Sequence, residues 1–239
     1  MEFKDIQNLY KNNQYQKIIS YAEEIDFESD YSKIIYDYAA VSALRLNNIQ
    51  TTKIFYEKLL ILDSTNSDIF FQLGKIALIE NNKKLVKQYF DNSLLFNSAH
   101  LKTLICYGTY MIQQKVYKKA FDFLNRANKI EPKNIIVLNN IGTIFYVQKN
   151  FEKAALYFLE AVSINQNYIE GLTNLSVVYV NQKNFDKAHK VVLKVLELNP
   201  NYQKAYAIYT EILIHRGEIE KAKEVSEKLI ELSSLNKFI

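Results

Sequence analysis

The chain has 239 residues, 49% of them hydrophobic and 13% aromatic, with five Gly and two Pro. That is enough apolar material for a core and too much for a disordered chain, while so few turn residues exclude a sheet built from hairpins. The formal charge is only +4 and just three of the thirty Lys and Arg residues are Arg, which disfavours the planar, forked recognition of phosphate or guanine and so argues against nucleic acid as a partner.

Cys106 is the single cysteine, so neither an internal disulfide nor a multi-cysteine metal site is expected. The stretch Met1 to Ile6 carries acids where a signal peptide needs basic residues and an apolar run. No stretch approaches the ~20 apolar residues of a membrane span. A cytoplasmic protein without a membrane span is the expectation.

In chain order, residues 1–32 show two apolar stripes at helical spacing. Phe3, Ile6, Leu9 and Tyr10 form the first, and Tyr15, Ile18, Ile19, Ala22 and Ile25 the second, joined by a polar turn at 11–14. From Lys33 a period of 34 takes over. Ala120, Ala154, Ala188 and Ala222 keep it, as do Gly74, Gly108 and Gly142, and Pro132 and Pro200 lie two periods apart. Six repeats follow, starting at Lys33, Ser67, Leu101, Ile135, Ile169 and Gln203 and ending at 236, with a tail at 237–239. Each contains two apolar blocks. In the repeat from Ile135, Leu138, Ile141, Phe145 and Val147 predict one helix, Phe151, Ala154, Phe158 and Ala161 a second, and 148–150 a turn between them.

Glycine inside a helix costs ~1 kcal/mol relative to Ala, so its recurrence predicts close packing. The expectation is that Gly142 and Ala154 lie where the two helices of a repeat cross. Pro132 and Pro200 are expected in the links between repeats, where no helical N–H is needed.

This pattern resembles the tetratricopeptide repeat (TPR), a 34-residue helix pair with W-x2-L-G-x2-Y, then A-x3-F, then P. The repeat from Leu101 supplies Leu104, Tyr107, Gly108, Ala120, Leu124, Ala127 and Pro132. The leading Trp is replaced throughout by Tyr36, Phe70, Leu104, Leu138, Leu172 and Tyr206, and Thr52 and Val86 stand where Ala belongs. Residues 1–32 then read as a degenerate, seventh unit. The resemblance implies an all-α, right-handed superhelical solenoid, continuous along the chain, that catalyses nothing, holds no cofactor and binds a protein or peptide segment as a scaffold or adaptor. A self-assembling homo-oligomer and a secretion or assembly chaperone are the alternatives, and the expected state is a monomer or weak homo-oligomer.

In the family the first helix of each repeat lines a concave groove. On that register the N-terminal groove presents Tyr38, Phe71, Gln72 and Lys75, and the middle presents Ile105, Thr109 and Ile112. The C-terminal part presents Asn139, Asn140, Thr143 and Tyr146, then Asn174, Val177 and Asn181. Gln72, Asn140 and Asn174 share one repeat position, similar to the asparagine ladder with which some TPR domains hold a peptide backbone. An Asn-rich composition gives the same pattern without function. The clamp that grips a C-terminal carboxylate in other TPR domains is absent. Its closest match, Asn139, Thr143, Asn174, Lys204 and Ile208, has no Arg and too few amides.

Lys119, Lys153, Lys187 and Lys221 form a column on the second helices, interleaved with Glu152, Asp186, Glu220 and Glu224, and read as a solvated face. His100, His189 and His215 stand apart, with no i, i+4 His or Cys partner, and Cys106 has no His beside it in the repeat register. No catalytic or metal site is expected.

Overall fold

The computed structural model describes residues 3–25 and 31–235. The predicted tail at 237–239 lies outside them. Among the described residues there are fourteen α-helices and no strand. The first helices of the repeats are α3 (Ser32–Arg45), α5 (Ser67–Ile79), α7 (Leu101–Gln113), α9 (Ile135–Val147), α11 (Ile169–Asn181) and α13 (Gln203–His215). The second helices are α4 (Ile49–Leu62), α6 (Lys83–Phe96), α8 (Tyr117–Ile130), α10 (Phe151–Ile164), α12 (Phe185–Leu198) and α14 (Ile219–Leu235). Before them lie α1 (Phe3–Lys11) and α2 (Tyr15–Glu24). The fold is the all-α helical-repeat solenoid that the periodicity predicts, and Pro132 and Pro200 sit in its links.

The residues group into two compact bodies, 1–103 and 104–239. In the first, Ile18, Tyr36, Phe55, Leu59, Leu73 and their neighbours form one core. In the second, the core runs from Ala154 and Phe158 through Leu175, Val192 and Tyr209 to Ala222.

Every turn inside a helix pair uses one device. Asn13, Asn47, Asn81, Lys115, Lys149, Lys183 and Gly217, each 34 residues from the next, have φ between 52° and 77°. This left-handed residue ends the first helix and lets the following N–H reach back five residues, as Asn48 does to the Ala43 carbonyl at 2.8 Å. That following residue is also the N-cap of the second helix. Asn48, Asn82 and Asn150 accept from the N–H three residues ahead at 3.1 Å, and Asn184 at 3.3 Å. Val116 holds the same place with no side-chain cap. Val116→Asn is therefore expected to raise stability by about 1 kcal/mol in urea denaturation followed by circular dichroism.

The glycines make room for large side chains on the second helix. A Cβ on Gly142 would lie 2.7 Å from the Phe158 ring, one on Gly74 would lie 2.4 Å from Phe90, and one on Gly108 would lie 2.7 Å from Leu124. At the helix crossing, glycine admits a large side chain sixteen residues on. Where the first helix carries Ser176, the facing position is the smaller Val192, and both are fully buried. In each of these pairs the side chain of the second helix fills the space that the first leaves, which is what a close-packed interior requires.

A buried polar cluster joins α5, α6 and the start of α7. Ser93 donates to the Ser67 carbonyl at 2.9 Å, and its hydroxyl lies 2.7 Å from that of Thr103. Thr103 Oγ1 is also 2.7 Å from His100 Nδ1, while His100 Nε2 lies 3.2 Å from Asp68. Ser93 and Thr103 are fully buried, so neither hydroxyl can turn to water instead.

Candidate functional site

In the N-terminal body, α3 and α5 place Asp37, Val41, Ile69 and Gln72 around a cleft of about 520 Å³ whose floor includes Tyr56 and Leu59 of α4. Gln72 is the predicted groove residue that lines it. Tyr38 instead packs edge-on against Tyr10 and Phe3, at 5.4 and 6.3 Å between ring centres. Phe71 is buried between Phe90 and His100, and Lys75 lies 5.6 Å over its ring. The cleft's acidic members, Asp37, Asp63 and Asp68, are absent from the sequence-based set. The available signal was the place of Asp37 and Asp68 on first helices, with Asp37 directly before Tyr38.

In the C-terminal body the predicted polar residues bond first to one another. Asn140 donates to Thr109 at 2.8 Å, and Asn174 donates to the Asn139 side-chain oxygen at 3.0 Å. Asn139 is 3% exposed and donates in turn to Glu170 at 3.3 Å. Thr143 donates to the Asn139 carbonyl. Asn181, exposed, donates to the Val177 carbonyl at 2.9 Å and reaches the Tyr146 hydroxyl at 3.5 Å. These bonds tie α7 to α9 and α9 to α11. Ile105, Ile112, Tyr146 and Val177 are half-buried beside them. An amide offers two donors and one two-lone-pair acceptor, so Asn140 and Asn174 keep capacity for a ligand after bracing their neighbours.

The lysine column is not simply solvated. Lys153 lies 5.2 Å from the Phe145 ring centre, Lys187 5.6 Å from Tyr179 and Lys221 5.9 Å from Tyr209. Each ammonium sits over an aromatic ring of its own repeat's first helix, an attraction of about 0.5–1 kcal/mol at exposed sites. The second helices also leave apolar side chains in water, among them Ile61, Leu95, Leu156 and Leu193.

His215 stacks on Phe185 with ring centres 4.6 Å apart. Burial, with Arg216 nearby, lowers the His189 pKa from its ordinary value, and its Nε2 is buried without a hydrogen bond. Cys106 is half-buried on α7. Among the described residues no group of three His, Cys, Asp or Glu could hold a metal ion, and no helix is long and apolar enough to cross a membrane.

Helix pairs at an unbroken 34-residue period have one widely known counterpart, and comparison with known proteins finds it. Residues 136–168 and 169–202 each match a family model described as tetratricopeptide repeat. The chain carries tetratricopeptide repeats. Its TPR fold is shared by the C-terminal part of a TPR repeat-containing protein from Cytophaga hutchinsonii, with a TM-score of 0.75 at 18% identity over 97% of this chain and 95% of that one. PilW, described as a type IV pilus biogenesis factor, gives 0.74 at 14% identity over 84% and 93%. YrrB, described as a TPR protein with an unusual peptide-binding site, gives 0.62 at 20% over 80% and 95%. At such identities the likeness is one of fold. No curated protein sequence matches the chain.

Proposed function

We propose that this TPR protein is a non-catalytic scaffold that holds a segment of a partner protein against its first-helix face, in the assembly of a larger complex. The observation that carries the reading is the cleft between α3 and α5, where the first-helix face opens onto apolar walls and onto Asp37 and Tyr56, which have no hydrogen-bond partner among the described residues. Surfaces of that kind are where soluble proteins take partners. TPR repeats are generally protein-binding scaffolds, and peptide binding by YrrB lends the reading support from one protein of the same fold. The amides of Asn140 and Asn174 extend the face into the C-terminal body, with Tyr146, Val177 and Asn181 beside them. A cytoplasmic setting belongs to this reading, since the one cysteine can form no internal disulfide.

The test is capture of the native partner followed by affinity measurement with variants. Asn140→Ala with Asn174→Ala should weaken binding about fivefold to a hundredfold, the loss of two hydrogen bonds of ~0.5–1.5 kcal/mol each. It should also lower the melting temperature, because both amides brace neighbouring helices. Leu156→Asp with Leu193→Asp, on second helices, should leave affinity within about twofold. The reverse pattern would move the site to the outer helices.

A second reading, self-assembly, is favoured by the exposed second-helix residues: Leu95 is 74% and Ile61 70% exposed. Light scattering decides it. A monomer at micromolar concentration agrees with the scaffold, whereas a dimer dissociated by Leu95→Asp would make the second copy the partner.

A further inference from the structure

Tyr56 is 4% exposed, yet no described residue hydrogen-bonds its hydroxyl, which opens into the cleft between α3 and α5. The ring is buried, but the hydroxyl itself is open to the cleft, where an incoming polar group can meet it. Beside it stands Asp37, whose carboxylate has neither an ion pair nor a hydrogen bond among the described residues. Across the cleft, on α5, lies Asp68, with Lys102 at 3.5 Å and His100 at 3.2 Å on its far side. The remaining charges at the rim cancel, since Lys33 pairs with Asp63 at 3.3 Å. The electrostatics report an unbalanced site. Burial, then Asp68, pushes the Asp37 carboxyl up, and burial, then Asp37 and Asp68, pushes the Tyr56 hydroxyl up to about 12. Asp68 already has Lys102 and His100 beside it, whereas Asp37, exposed at the mouth of the cleft, has no cation beside it among the described residues.

We propose that the cleft takes the cationic end of a lysine or arginine side chain carried by a partner protein segment. The inference rests on the scaffold reading and names the chemistry of its partner. The alkyl stem lies along Ile34, Val41, Leu59 and Ile69 while the charged head reaches Asp37 and Asp68, and Tyr56 supplies a neutral oxygen acceptor. The walls decide between possible cations. A metal ion has no use for four aliphatic side chains and needs more ligands than two carboxylates. A volume of about 520 Å³ is far larger than one ion requires and suits a long side chain with part of its backbone.

The experiment uses the whole chain and an array of short synthetic peptides that share a leucine-rich frame and carry Lys, Arg, Gln or Glu at each position in turn. Binding is followed by fluorescence anisotropy. Lys or Arg peptides should bind about tenfold more tightly than their Gln counterparts, with Glu weaker still, and Asp37→Asn should erase that preference. Tyr56→Phe should reduce it a few-fold. Asp37→Asn should leave the melting temperature unchanged or raise it. A carboxyl whose pKa is raised by folding destabilises the folded state once ionised, so removing its charge relieves the structure at neutral pH. A carboxylate with a structural role would show a drop instead, and that result overturns the proposal. So does a Lys preference that survives Asp37→Asn, or free spermine competing as well as the Lys peptide. Equal binding of Lys and Gln peptides sinks the inference and leaves the scaffold reading standing. Binding to no peptide at all counts against both.

Discussion

Gly142→Ser should destabilise the chain by about 1–3 kcal/mol in urea denaturation, although serine is the better helix former of the two. The reason is geometric. A Cβ at 142 lies 2.7 Å from Cε1 of Phe158, a ring that is 1% exposed and has nowhere to go. Phe158→Val alone should cost about 2–3 kcal/mol by leaving a cavity. Combined, the two changes copy the Ser176 and Val192 pair of the next repeat, and the double variant should recover at least about 1 kcal/mol of the summed loss. Strict additivity would mean that the two positions do not share one packing volume. Hydrogen exchange should locate the weakened region in α9 and α10, since repeat arrays lose stability locally before they lose it globally.

Thr103→Val should be nearly as damaging, at about 2–4 kcal/mol, despite conserving shape. Its hydroxyl lies 2.7 Å from both Ser93 Oγ and His100 Nδ1, and removal leaves each with one bond fewer in a dry place. Thr109→Val is the comparison. That hydroxyl is half-buried and water can replace it, so the cost should stay below about 1 kcal/mol even though Asn140 loses its acceptor. Ser93→Ala added to Thr103→Val should cost less than the sum of the two single changes, because it removes one of the groups orphaned by the first. A full additive loss would show that the hydroxyls act independently.

The helices and their turns were legible because helical periodicity and the 34-residue spacing are properties of a one-dimensional string. Gly108 and Ala120 announce close packing wherever they recur, and Pro132 announces a link. What a residue touches is another matter. Gly142 faces the Phe158 ring, a contact that the 34-residue spacing does not name. Asn140 and Asn174 read as ligand-facing amides, but sequence shows a residue's type and not the acceptor already in front of it. The lysine column is solvated as its sequence reads, but the rings beneath three of its members are not visible in the spacing. Asp37 escaped because charge on a repeat helix is ordinarily exterior, and only a cleft with an unpartnered tyrosine at its floor makes it unusual.

The size-matched pairs also bear on how such a chain avoids confusing its own parts. Near-copies of one hairpin invite exchange: α9 closing on α12 would bury much the same stripe as α9 closing on α10. The side chains discriminate. With the partners exchanged, Gly142 would meet Val192 across a void, and Ser176 would meet the Phe158 ring in a collision. These two neighbouring repeats thereby carry different keys at one lock position, and an intermediate that exchanges their helices is penalised in both of its wrong pairings. The same logic constrains evolution by duplication. A copied repeat arrives with a working pair, but a recombination crossover falling between residues 142 and 158 inherits half of each, and such hybrids should be under-represented among the products that fold.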